Sequence, residues 1–386
     1  MYPDLSYLLH DVFGTPVDNA FSIVKTFGLM LGITFLVCAW VLYLELKRKE
    51  EEGLIKPQTR TTTIGTGPKW SEALINGLVG FIFGLKLPYI VLNFSEFKAD
   101  AAAVIFSGKG NVGIGLLCLL VFSGYVIWMG MKNKLDKPKN IKEVIHPYQR
   151  TGDIIIMGAI SGILGSRLFS ILENLDSFWQ DPMDQLFSGS GLTVYGGFIL
   201  GFIAVFYQVK RYGIKPIHMM DAAAPVMMVG YTVGRLGCQL SGDGDWGTVN
   251  EAAKPSWFIF PDWAWAYDYP RNVLNEGVRI INCAGEYCSR LSPPVYPTPI
   301  YEIVLGAIII AILWFLRKRI KVPTKLFFIF CILMAIERFF IEYIRVNPRY
   351  NYLGFEWSQA QYISVGVFLL GIVALIVLSR RPTTEN

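Results

Sequence analysis

The chain has 386 residues, of which 53% are hydrophobic and only 17% charged, with a mean hydropathy of +0.42. This excludes an ordinary soluble domain of that length and indicates a polytopic membrane protein. The net charge of +5 is small, and no basic-aromatic array marks a nucleic-acid surface.

The N-terminal segment carries Asp4, Asp11 and Asp18 with no early lysine or arginine. The first apolar run, 20–46, exceeds the length of a signal-peptide core, so it reads as a first span and no cleavable signal is expected. Further runs of bilayer length cover 72–94, 112–132, 153–173, 193–209, 219–240, 299–316, 325–344 and 358–379, giving about nine spans. The 72–94 run is the weakest, because it contains Lys86 and Pro88.

Loop charge orients these spans. Lys47, Arg48, Lys49, Lys56, Arg60 and Lys69 follow the first span, and Lys132, Lys134, Lys137, Lys139, Lys142 and Arg150 follow the third. Lys210, Arg211 and Lys215 follow the fifth, Arg317 to Lys325 the seventh, and Arg380 and Arg381 the ninth. By the positive-inside rule the N-terminus lies outside and the C-terminus inside. The expected architecture is an all-α membrane domain over 1–386, with a long outer loop over 241–298.

That loop concentrates Trp257, Phe258, Phe260, Trp263, Trp265, Tyr267 and Tyr269. Aromatics at this density suit either a rim over a lipid site at the membrane interface or a small aromatic core that closes the loop. The loop also holds Cys283 and Cys288, which form a disulfide if it faces an oxidising compartment and are otherwise free thiols. The other four cysteines lie in or beside apolar runs.

Polar residues inside apolar runs carry the functional signal, because intramembrane charge is costly. Arg167, the stretch Thr193 to Gly197, Arg235, the pair Tyr301 and Glu302, and the group Glu337, Arg338, Glu342 and Arg345 all fall toward the outer side. Arg235 alone has a bland reading as a snorkelling side chain. Arg338, Glu342 and Arg345, spaced four and three residues apart, are expected on one helix face, where Glu342 also suits a structural ion pair. A proton or ion pathway would spread charge through the membrane depth. Arginines and glycines gathered at one leaflet instead suit an anion held there, and a phospholipid phosphate is the natural one. None of the three histidines falls in this group, which leaves no histidine base there. Asp243-Gly244-Asp245 offers too few oxygens for a cation, so no metal is expected.

These residues carry a family resemblance. Gly234-Arg235-Leu236-Gly237, followed by Gly242-Asp243 and Trp246-Gly247, is similar to the Gly-Arg-x-Gly-Asn and Asn-Gly-Glu signature of bacterial prolipoprotein diacylglyceryl transferases. Asp221-Ala222 with Ala224-Pro225 resembles the segment that precedes it. Tyr195-Gly196-Gly197 resembles the family's His-Gly-Gly, and Pro297 to Glu302 its Pro-x-Gln-Leu-Tyr-Glu. Arg338 to Arg345 resembles Arg-Phe-x-x-Glu-x-x-Arg, Gln361 and Ser364 match Gly-Gln-x-x-Ser, and Phe27-Gly28-Leu29 stands for Tyr-Gly-Leu. The matches cover the first span and about 153 to 380, so 70–135 reads as an inserted helical pair within a seven-helix plan. Tyr195 for histidine, Cys238 for asparagine and Asp243 for glutamate are departures that leave the proton acceptor open.

The resemblance implies transfer of diacylglycerol from phosphatidylglycerol to the lipobox cysteine of a prolipoprotein signal peptide. This would occur in the bacterial inner membrane with the site toward the periplasm, and without a cofactor. It implies Arg235 and Arg338 on the phosphate, Glu342 orienting Arg338 or accepting a proton, and Tyr195 bonding the lipid. Asp243 would position Arg235, and Arg345 and Arg167 are secondary. Gly196, Gly197, Tyr301, Glu302, Phe27 and Gly247 would line the substrate site. The alternatives are a lipid-modifying enzyme with another acceptor, or a transporter or lipid-binding protein. The latter predicts broken mid-membrane helices and an internal repeat, neither of which the sequence displays.

Overall fold

The computed structural model describes residues 1–99, 104–105, 107–180, 182, 193–352 and 354–380. In chain order its helices are α1 (Leu5–Phe13), α2 (Thr26–Glu51), α3 (Trp70–Leu92), α4 (Phe94–Ala99), α5 (Val112–Lys132), α6 (Thr151–Glu173), α7 (Leu175–Gln180), α8 (Val194–Arg211), α9 (Pro216–Ser241), α10 (Thr298–Leu316), α11 (Lys325–Ile341) and α12 (Gln359–Ser379). Among the described residues, strands form short antiparallel ribbons, β1 (Gln58–Ile64) with β2 (Lys139–Ile145), β3 (Val278–Arg279) with β4 (Ser289–Arg290), and β5 (Arg349–Tyr352) with β6 (Phe355–Ser358).

Among the described residues, six helical segments are long and apolar enough to cross a bilayer: α2, α3, α5, Pro147–Glu173, α10 and α12. The helices α8, α9 and α11 fall outside this set. They are shorter, or carry polar groups such as His218, Asp221 and Arg235 in α9 and Glu337 and Arg338 in α11.

The chain forms two compact units, residues 1–56, 147–155 and 209–386, and residues 57–146 and 156–208. In the first, α9 lies between α2 and α10, and α11 packs on α9, α10 and α12. Ala224 and Met228 of α9, Ile309 and Leu313 of α10, and Leu326 and Phe330 of α11 form its buried core. Small residues set the closest approaches: a Cβ on Gly237 would lie 3.1 Å from Met30 Cβ of α2, and one on Gly306 would lie 2.3 Å from Thr232 Oγ1.

Local polar contacts explain three helix boundaries. The first span, expected over 20–46, is α2, which runs to Glu51 because Arg48 pairs at 2.8 Å with both Glu45 and Glu52, so charge continues the helix rather than ending it. Residues Ala20–Ile23 form a separate 3₁₀ turn capped by Asn19. Asp221 of α9 accepts from the backbone N–H groups of Thr324 and Phe327 at 2.8 and 3.1 Å, capping the start of α11 from a neighbouring helix. Gln361 and Ser358 form a capping box at the start of α12.

In the second unit, α3 and α5 pack along Gly77, Gly80 and Gly84. A Cβ on Gly84 would come within 2.6 Å of the Ile114 carbonyl. Close backbone approach through small residues is the usual basis of helix association in a bilayer, where lipid is as apolar as leucine. Lys86, the costly residue of this run, is satisfied by the carbonyls of Val104 at 3.0 Å, Ser107 at 2.5 Å and Lys109 at 2.9 Å. The same device joins α6 to α8: a Cβ on Gly165 would lie 2.4 Å from the Gly196 carbonyl.

Substituting Gly84→Leu is expected to lower stability by about 1–3 kcal/mol through overpacking. Gly124 of α5 has nothing within 4 Å of an added Cβ, so Gly124→Leu is expected to leave it unchanged. Thermal unfolding of the two purified variants in detergent checks the contrast, and equal melting temperatures would refute the glycine contact.

Candidate functional site

The site is assembled at one end of α9, α10 and α11. Arg235 lies in the last two turns of α9, Glu302 in the first turns of α10, and Glu337 and Arg338 near the end of α11. The Glu302 carboxylate is fully buried, at 0% exposure. Its Oε2 lies 3.1 Å from Arg235 Nε, and its Oε1 lies 3.4 Å from both Arg338 Nη1 and Arg345 Nη1. Tyr231, one helical turn before Arg235, donates to Glu302 Oε1 at 2.9 Å, and its ring lies under the Arg235 guanidinium at 5.2 Å.

Two further carboxylates close the network. Asp245 pairs through Oδ2 with Arg235 and through Oδ1 with Arg345 Nη2 at 2.6 Å. Glu342 Oε2 lies 3.3 Å from Arg338 Nη2, and Asn347 donates to Glu342 Oε1. Three guanidiniums thus meet Asp245, Glu302 and Glu342.

The expected single helix face for 338 to 345 does not hold. The α-helix ends at Ile341, a 3₁₀ turn covers Glu342–Ile344, and Arg345 is extended. Arg345 reaches the cluster because its backbone bridges to Gly247, with the Thr248 N–H donating to the Ile344 carbonyl at 2.7 Å. Gly247 is required there, since a Cβ would lie 2.5 Å from that carbonyl and 2.9 Å from Thr298 Cγ2. Thr298 Oγ1 donates to the Asp245 carbonyl at 2.7 Å, which fixes the acidic turn against the start of α10.

Asp245, rather than Asp243, is the ion-pair partner of Arg235. Burial would push the Asp245 carboxyl up, but Arg235 and Arg345 outweigh it and hold it at about 2. Burial instead raises the Asp243 carboxyl. Asp243, whose Oδ1 accepts from the Asp245 N–H at 3.4 Å, shapes the turn. Cys238, Asp243 and Asp245 place one ligand atom each within 4.8 Å of one another. Asp245 already serves two arginines, however, and three atoms are few for a cation site.

Among the other sequence candidates, Tyr301 donates to the Ala264 carbonyl at 2.8 Å and so fastens the long loop to α10. Phe27 lies beside Gly237, 3.4 Å from an added Cβ. Arg167, Tyr195, Gly196 and Gly197 belong to the second unit. There Gly196 and Gly197 pack against Gly165, Ser166 and Gly162, Arg167 is half-buried, and Tyr195 is exposed. The aromatic loop divides between its two readings: Trp246, Tyr269 and Val295 make a small buried core, whereas Trp257, Phe260 and Trp263 are exposed. Cys283 and Cys288 are joined as a disulfide. Sequence reasoning missed Tyr231, whose signal was its four-residue spacing from Arg235.

An aspartate held below its ordinary value of 3.8 favours the folded state fully above that value, and its contribution is lost as pH falls through about 2. Asp245→Asn is therefore expected to lower the melting temperature at neutral pH, with the gap to wild type closing on acidification from about pH 4. A gap unchanged down to pH 2 in detergent melts would contradict the pairing.

A family model described as prolipoprotein diacylglyceryl transferase matches residues 103–377, more than two thirds of the chain. Similar proteins include a phosphatidylglycerol–prolipoprotein diacylglyceryl transferase of Leptospira interrogans, 24% identical over 302 residues, covering 64% of this chain and 86% of the relative. A protein of the same name from a Janthinobacterium species is 26% identical over 273 residues, covering 69% and 91%. Another from Pseudomonas paraeruginosa is 26% identical over 277 residues, covering 70% and 90%. With its arginine cluster lying inside the matched segment, the chain belongs to the prolipoprotein diacylglyceryl transferase family.

Proposed function

We propose that the protein transfers the diacylglyceryl group of phosphatidylglycerol to the thiol of a prolipoprotein cysteine. The carbon–oxygen bond between diacylglycerol and phosphate breaks, a carbon–sulfur bond forms, and glycerol phosphate leaves. The thiolate is the useful nucleophile, and a free cysteine near pKa 8.5 is only partly ionised at neutral pH. The thiol proton must leave, and the departing phosphate must be stabilised as its charge develops.

The single observation that carries this reading is the convergence of Arg235, Arg338 and Arg345 on one buried carboxylate, in a chain of this family. The acids do not exhaust these guanidiniums, since each offers five N–H donors. Arg338 makes no acid contact closer than 3.3 Å, whereas Arg235 and Arg345 each make a shorter one, and its side chain is the most exposed of the three, at 25%. It is the readiest to turn toward a phosphodiester, with Arg235 beside it. Asp245 and Glu342 act as orienting groups, and Arg345 ties the acidic turn to the cluster. Tyr195, at the position of the family's histidine, is the proposed hydrogen-bonding group for the lipid, with Arg167 secondary to it.

In this reading nine helices span the membrane, with the N-terminus outside and the C-terminus inside. The loop between α9 and α10 faces the periplasm, the lipobox peptide arrives from that side, and α3 and α5 form the inserted pair. Loop charge supports this orientation. Exposed Trp257, Phe260 and Trp263 suit the membrane–water interface.

Given phosphatidylglycerol vesicles and a lipobox peptide, the wild type is expected to add the mass of diacylglycerol to the peptide cysteine. Arg235→Ala and Arg338→Ala should each lower kcat/KM by about 10²-fold or more, the scale of losing one preorganised donor to developing charge. Full activity in the double variant, read by mass spectrometry, would overturn the assignment.

A further inference from the structure

Beneath the arginines, two acids share one phenol. Tyr231 Oη lies 2.9 Å from Glu302 Oε1 and 3.1 Å from Glu337 Oε1. A phenol donates one proton, and an ionised carboxylate only accepts. With both acids ionised, one of these contacts would hold no hydrogen at all. Glu302 lies against three guanidiniums, the setting in which a buried carboxylate's charge is compensated. Glu337 is buried, has no arginine or lysine at ion-pair distance among the described residues, and leaves Oε2 without a hydrogen-bond partner. An ionised carboxylate in such a place is costly.

The groups that face Glu337 are Tyr231 and Arg235 from α9, Glu302 from α10 and Arg338 beside it on α11. The helix α12, which also packs on α11, carries no charged residue. We propose that Glu337 is a positioning residue that carries a proton and donates it to Tyr231, which donates in turn to Glu302. The chain is Glu337 carboxylic acid to Tyr231 hydroxyl to Glu302 carboxylate. It fixes the Glu302 oxygens toward the arginines while adding no charge. A further anion would oppose the approach of a phosphodiester to a cluster whose three cations already meet three acids. A carboxylic acid kept neutral as a hydrogen-bond donor is an established device of buried sites. The effect on catalysis rests on the phosphate reading above, whereas the place of the proton does not.

Infrared difference spectra of the purified protein in detergent, taken along a pH titration without substrate, test the proton directly. A protonated carboxylic acid band is expected in the wild type at neutral pH and is expected to be missing in Glu337→Gln. Identical wild-type and variant spectra at every pH would overturn the proposal. In the transfer assay, Glu337→Gln keeps a neutral donor to Tyr231 and is expected to stay within about fivefold of wild type, the worth of one neutral hydrogen bond. Glu337→Ala is expected to lose about 10²-fold through misplacement of the cluster. The wild-type rate should fall at alkaline pH as Glu337 ionises, and the glutamine variant should lack that limb. Equal losses in the glutamine and alanine variants would also overturn the proposal. Failure of every variant and the wild type to modify the peptide would refute the transferase reading, and the infrared result would still decide where the proton sits.

Discussion

Glu302 is the constraint on which the rest of this end of the molecule depends. A fully buried carboxylate cannot remain charged without partners, and an arginine within an apolar helix cannot remain without an acid. Arg235, Arg338 and Arg345 come from two helices and an extended segment, and all three are drawn to the same two oxygens. Removing one member of such a set strands buried charge, which typically costs about 3–5 kcal/mol. The helix ends therefore converge, and the glycines follow from that convergence. Gly247 admits the Ile344 carbonyl, and through that contact Arg345 is delivered to Asp245.

A second buried acid shows what a purely structural arrangement looks like. Glu45 of α2 pairs with Arg48 at 2.8 Å and with Arg317 beyond the end of α10. Arg317 also stacks 3.2 Å from the Trp314 ring centre. There a single acid joins two helices and nearby aromatic surface covers one cation. Around Glu302, by contrast, three guanidiniums crowd one carboxylate, a phenol links a further acid, and the least enclosed arginine keeps long contacts. The first arrangement staples helices. The second concentrates hydrogen-bond donors at a point where an anion can be received, and its residues lie within the segment that places the chain in a diacylglyceryl transferase family.

Much of this was legible in the sequence. Apolar run length gave most helices to within a few residues, since bilayer length is a strong constraint. Arg235, Arg338, Glu342 and Glu302 stood out because charge in apolar runs is rare. The sequence could not reveal that Arg345 leaves the helix and returns through a backbone bridge, because the turn after Ile341 is set by tertiary contact with Gly247. For the same reason Asp243 and Asp245 could not be distinguished: both lie in one glycine turn, and only the fold decides which carboxylate faces Arg235. Tyr231 read as one more aromatic in an apolar helix. Gly196 and Gly197, which the sequence offers as substrate contacts, pack α6 on α8, and spacing alone does not separate those two roles.

On the proposed function, the guanidiniums gathered on Glu302 hold a lipid phosphate. Structure determination of the protein in phosphatidylglycerol nanodiscs tests it most directly. Headgroup phosphate oxygens are expected within hydrogen-bond distance of Arg235 and Arg338. A bound phosphate held elsewhere, with both arginines still closed on Glu302 and its neighbouring acids, would contradict it.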